Sequence, residues 1–173
     1  MIGAIFGSYF QSCEQFEFKR RERREEAYAK LIGDRFATQQ AFYVFYEAQV
    51  FFEYHQGVYA AEHIDVDQQE AIRFLHRSEE LGNAASQALK TLLTDTASAA
   101  AAFGETEELK RLTKAVYETK TFNVADAPKG ATREELRQWR DGAVAELQRK
   151  ADREIAQPVR NLTEYLEPIV SSR

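Results

Sequence analysis

Residues 67–93 read D-Q-Q-E-A-I-R-F-L-H-R-S-E-E-L-G-N-A-A-S-Q-A-L-K-T-L-L. Within them Ala71, Phe74, Ser78, Leu81, Ala85, Ala88 and Leu92 recur in alternating steps of three and four. That is the heptad period, which keeps one face of an α-helix turned toward a partner helix. The small residues in this seam let the partner approach closely, and Ile72, Leu75, Leu89 and Leu93 widen the apolar face. Asp67 is placed to cap the helix, with Glu70 at the capping-box position. Ala97–Ala102 extend it through high helix propensity. Gly104 supplies a C-terminal cap.

Before this stretch, the chain runs from its N-terminus to about Glu62 without proline, which predicts one long helix. Tyr28, Ile32, Phe36, Tyr43, Tyr46, Val50, Tyr54, Val58 and Ala61 make one apolar face. Phe42, Phe45, Phe52 and Tyr59 make a second. Two apolar faces imply neighbours on more than one side, as in a bundle centre or an oligomer interface. Residues 42–59 hold eight Phe or Tyr in eighteen positions. Most of that block suits core packing. As a surface it would offer Phe42, Phe45, Phe52, Tyr54, His55 and Tyr59 to a partner helix or a small apolar ligand.

After Gly104, a shorter helix is expected over Thr106–Phe122, with Leu109, Leu112, Val116 and Thr119 facing inward. Asn123–Ala131, with Pro128 and Gly130, is a loop. The last helix starts at Thr132, where Glu135 completes a Thr-x-x-Glu capping box. Its apolar face runs Leu136, Trp139, Ala143, Leu147, Ala151, Ile155, Val159, Leu162, Leu166 and Ile169. These ten positions span 33 residues in nine steps, close to the period of a straight helix. Pro158 clashes with the carbonyl of Glu154 and predicts a kink or break. Pro168 marks the expected end. The expected fold is all-α: an elongated antiparallel four-helix bundle with a long protruding first helix. Residues 1–24 form an N-terminal extension, and 25–170 form a single bundle domain.

The chain of 173 residues carries a net charge of −5, unevenly spread. Residues 1–40 are net +1, residues 41–104 net −6 and residues 105–173 neutral. A uniformly basic nucleic-acid binder is excluded by this balance, and the aromatic block sits in the acidic third, away from any basic surround. One cysteine allows no internal disulfide and fits a reducing compartment. The three histidines, His55, His63 and His76, offer no Glu-x-x-His pair of the kind that holds metals in bundles. Gly-x-Ser-x-Gly, Walker and Gly-x-Gly-x-x-Gly motifs are absent from the sequence. Neither catalytic residues, nor a metal, nor a cofactor is expected.

The N-terminus carries the one clue to location. Met1–Phe10 is uncharged, and Lys19, Arg20, Arg21, Arg23 and Arg24 follow it. Ten residues cover about 15 Å of helix, half a bilayer core. Ile2, Ile5, Phe6, Tyr9 and Phe10 are candidate lipid contacts. Tyr9 and Phe10 suit the interface belt, and the bases suit its cytoplasmic side. The bases also read as an ion-paired helix face. Residues 1–32, through G-S-Y-F-Q-S and R-R-E-E-A-Y-A-K-L-I, resemble bacterial single-span membrane proteins whose apolar helix runs directly into a helical cytosolic domain. That resemblance implies a missing or truncated N-terminal span. It also implies a cytoplasmic location at the inner face of the membrane. The function expected is a non-catalytic interaction or scaffold module, with a protein partner or a second copy and an anionic membrane surface as its contacts. The alternative is a soluble homo-oligomeric bundle that binds an apolar ligand or a partner helix through the aromatic block.

Overall fold

A computed structural model describes the backbone of residues 2–119 and 121–172, and the side chains of residues 14–119 and 121–172. The helices are α1 (Ile2–Glu62), α2 (Asp65–Phe103), α3 (Glu107–Tyr117), α4 (Arg133–Ala151) and α5 (Gln157–Ser171). A five-residue π-turn, Asp152–Ala156, joins α4 to α5. Among the described residues there is no strand.

α1 and α2 fold back on each other through His63 and Ile64. His63 takes the left-handed conformation (φ 53°) that turns the chain, a conformation His adopts more readily than most residues. The two helices then run in opposite directions. His55 meets Asp67 near the turn, Phe51 stacks on Phe74, the Thr38 hydroxyl donates to the Ala88 carbonyl, and Arg24 reaches the Ala102 carbonyl. From residue 24 to 55 that contact covers about 47 Å. Ala71, Ser78, Ala85, Leu92 and Ala99, spaced by seven, are all buried. Gly82 allows the close approach, because a Cβ there would stand 3.0 Å from the Phe45 ring.

The start of α2 differs from the sequence expectation. Ile64 is the residue before the helix and makes no side-chain cap. The helix begins at Asp65, so Asp67 is already in its first turn and faces α1 instead of capping the free amides. Gly104 ends α2 as expected, with φ 87° and its N–H donating to the Ala100 carbonyl. Thr106 caps α3, accepting from the Leu109 amide. α3 stops at Tyr117 instead of Phe122, and Thr119 falls outside it. Residues 118–119 and 121–132 continue without helix. Phe122 and Val124 insert into the middle of the core, and Ala127 and Ala131 into its upper part. Their apolar side chains find places along α1 without a helical turn.

The Thr132–Glu135 capping box is formed in full at the start of α4. At Pro158 the regular α-helix is interrupted, as a π-turn over Asp152–Ala156 just before it. The Gln157 N–H reaches back five residues to the Asp152 carbonyl, and Pro158 lies in the first turn of α5, where its missing N–H costs little. Pro168 does not end the helix, which continues to Ser171. Ile169 is exposed rather than inward, and so is Phe36, whose ring carries the Arg35 guanidinium at 4.4 Å.

The core has three levels. The lowest joins Leu31, Leu92, Phe103, Leu109, Leu112, Val116, Val159, Leu162 and Leu166 from four helices. The middle holds Phe42, Tyr46, Val50, Ala85, Leu147 and Ile155. The top holds Tyr54, Val58 and Leu136.

Candidate functional site

The basic cluster lies where α1 leaves the other helices. Lys19, Arg20, Arg21 and Arg23 are exposed, whereas Arg24 is half-buried. Arg24 donates from Nε to the Ala102 carbonyl at 3.2 Å and lies over the Phe103 ring at 5.6 Å. It is therefore a packing residue that ties α1 to the end of α2. Arg21 pairs with Glu25 at 2.8 Å, one helical turn away. Lys19, Arg20 and Arg23 have no carboxylate partner within 4 Å among the described residues, so their charge is available to solvent. The ion-paired face read from the sequence is thus present only in part.

Beside these bases, Phe16 and Phe18 are each 69% exposed. Aromatics so open gain little from folding and would gain from a surface that covered them. Phe18, Arg20, Arg21 and Arg24 line a cleft of about 360 Å³ against Ile169 and Val170 at the end of α5. Glu17 is the lowest α1 residue of that cleft. The backbone of α1 continues helically from there to Ile2, fifteen residues or about 22 Å. The side chains of Ile2, Ile5, Phe6, Tyr9 and Phe10 lie outside the described residues. No helix among the described residues is long and apolar enough to cross a membrane.

The aromatic block faces largely inward. Phe42 and Tyr54 are buried, and Phe45, Phe52 and Tyr59 are half-buried. Phe45 packs on Tyr46 (4.9 Å) and against Gly82, and Tyr59 stands edge-on to His63 (5.9 Å). A ligand reaching Phe42 or Tyr54 would have to displace core contacts. The block's polar residues are also engaged. Glu53 accepts from the Ala127 amide at 3.5 Å. A shallow cleft of about 630 Å³ remains between residues 53–61 of α1 and Asp126–Gly130.

His55 belongs to a polar clasp that the sequence did not reveal. Its Nδ1 lies 2.9 Å from Asp67 Oδ1, its ring stacks on Phe74 at 5.6 Å, and the Tyr54 ring meets it edge-on. Asp67 is only 4% exposed. Its second oxygen faces Arg133 of α4 at 3.6 Å, and Arg133 also binds Glu62 at 3.1 Å. The clasp joins three helices, and its buried carboxylate is compensated from both sides, as a buried charge requires. The signal for it was Asp67, in the first turn of α2. The sequence could not say that His55, twelve residues earlier, would face it across the turn. Among the described residues, no three His, Cys, Asp or Glu side chains come together to hold a metal ion.

In comparison with known proteins, no family model, no curated protein and no solved structure matches the chain.

Proposed function

We propose that this chain is a non-catalytic interaction module held at the cytoplasmic face of a membrane, with a protein or a second copy as its partner. In this reading α1, α2, the α3 strip with its extended continuation, and the α4–α5 rod form an elongated antiparallel four-helix bundle. The beginning of α1 stands out from it and meets the lipid. One observation carries the reading: a single helix runs from the uncharged N-terminal segment, past three bases with no ion pair among the described residues and two open phenylalanines, into the core. Whatever anchors its start also positions the bundle.

The magnitudes say which part of the helix does the anchoring. Residues 14–24 carry five bases and three acids. A base near an anionic surface contributes about 1 kcal/mol, so the net two charges contribute about 2 kcal/mol. Ile2, Ile5, Phe6, Tyr9 and Phe10 contribute about 1.5–3 kcal/mol each when fully buried. The apolar segment dominates, and the bases orient it by the preference of Lys and Arg for the cytoplasmic side. Ile2 to Phe10 covers about 13 Å, the depth of one leaflet's hydrocarbon.

Vesicle flotation tests this. The whole chain and a chain lacking residues 1–18 are floated with neutral and with anionic liposomes, at low and high salt. The whole chain is expected to float with both, more strongly with anionic lipid at low salt, and the truncated chain to stay at the bottom. A whole chain that floats with neither overturns the proposal. Salt-sensitive flotation that survives truncation would assign the binding to the bases alone.

A further inference from the structure

The cleft of about 360 Å³ between α1 and the end of α5 gathers three arginines, Arg20, Arg21 and Arg24. Two of them are used only in part. Arg21 donates to Glu25 and Arg24 to the Ala102 carbonyl, each through Nε. Among the described residues, the terminal nitrogens of both and the whole guanidinium of Arg20 donate to no acceptor. Nor are they spent on capping α5. At its end the Pro168 carbonyl accepts the Ser172 N–H, and the Ile169 carbonyl accepts the Ser172 hydroxyl. Against the three bases stand Glu17, which also lines the cleft, and Glu25, which Arg21 already holds. The remaining walls are apolar: Phe18 and Ile169, both exposed, and Val170.

Guanidinium forks match the anionic oxygens of a phosphate in pairs. A free phosphate would leave the apolar walls uncovered, whereas a phospholipid carries its phosphate beside apolar carbon. We propose that this cleft is a subsite for the phosphate of an anionic phospholipid, held by Arg20, Arg21 and Arg24, with the adjoining lipid carbons against Phe18, Ile169 and Val170. Its place along α1 suits that ligand. Arg20 lies about 15 Å beyond Phe10, and the headgroup layer is about 5–8 Å thick. Side chains on a helix tilt toward its N-terminus, which carries these guanidiniums back toward the headgroups. The proposal rests on the membrane reading above. It adds to the diffuse attraction of the bases one lipid held at one place.

The test compares two double variants of the whole chain that remove the same charge. Arg20→Gln with Arg21→Gln empties the cleft; Lys19→Gln with Arg23→Gln changes bases that do not line it. Arg24 stays, because it ties α1 to α2. Diffuse attraction weakens alike in both. The cleft pair is expected to lose at least about tenfold more affinity for anionic vesicles than the matched pair, because only it removes charge-assisted bonds to the phosphate. Equal losses overturn the subsite. In a second arm, wild-type chain is titrated with dihexanoyl-phosphatidylglycerol dissolved as monomers, and backbone amides are followed by NMR. Amides of residues 17–24 and 169–172 are expected to shift and to saturate at one lipid per chain. Absence of those shifts overturns the subsite, and the same saturation with inorganic phosphate alone overturns its assignment to a lipid. Flotation with neutral vesicles reads the apolar anchor without the cleft, so failure of the anchor and failure of the subsite are told apart. The second arm needs no variant, so a misfolded double variant leaves the test intact.

Discussion

Tyr46 is almost wholly buried, and its hydroxyl is the only polar atom on a side chain otherwise packed among rings. It stacks on Phe122 at 4.1 Å and accepts that residue's backbone N–H at 3.0 Å. Burial holds the hydroxyl above its ordinary pKa, so it stays neutral. The bond fixes the extended chain after α3, where no helix satisfies the backbone. Tyr46→Phe keeps the rings and leaves the Phe122 amide without its acceptor. An unsatisfied buried donor costs about 1–3 kcal/mol. For a chain of this size that is a fall in Tm of roughly 2–12 °C, read by thermal denaturation. An unchanged Tm would mean that water replaces the hydroxyl. Periodicity placed Tyr46 on the inner face correctly, but its partner is 76 residues away and shares no pattern with it. Asp67 shows the same limit: its type suggested a cap, and a helix starting two residues earlier turned it into a tertiary contact.

At the scale of elements, the seam of α2 and the caps at Thr132 and Gly104 were legible because each depends on residues within one or two turns. The π-turn was legible too, though only as an anomaly. From Ala143 to Val159 the apolar face advances in four consecutive steps of four. At 100° per residue each such step drifts about 40°, so a regular helix would carry Val159 roughly 160° off the core. One extra residue in the π-turn absorbs about 100° of that drift, and Ile155 and Val159 are both buried. An average period over the whole face conceals this. Glycine offers a cleaner test of element stability. A Cβ at Gly33 in α1 or at Gly142 in α4 would meet nothing within 4 Å. Both sites are exposed helix interior, where Gly→Ala gains about 0.5–1 kcal/mol. Gly33→Ala and Gly142→Ala are each expected to raise Tm by roughly 1–4 °C. Gly57 is the contrasting site, since its Cβ would stand 3.0 Å from Leu136. A Gly33→Ala chain no more stable than wild type would show that α1 bends at Gly33 in solution.

At the scale of the molecule, stability and membrane contact are expected to reside in different stretches of the same helix. Along the described part of α1 the first fully buried side chain is Leu31, at the lowest level of the core. The first hydrogen bond to another helix is that of Arg24. Residues 14–23 are all exposed. Removing residues 1–18 is therefore expected to shift Tm by no more than about 1 °C, since surface changes away from packed features stay within about 0.5 kcal/mol. Leu31→Ala is expected to cost about 2–5 kcal/mol, the usual penalty for emptying a buried leucine site. The two changes should then exchange roles in flotation. The truncated chain stays folded and leaves the vesicles, whereas the Leu31→Ala chain is less stable and still floats below its Tm. This crossed result separates an anchor from a structural element, which loss of binding alone does not do. A truncation that lowers Tm as far as Leu31→Ala would make residues 1–18 part of the packed fold. Their apolar character would then be explained without a membrane.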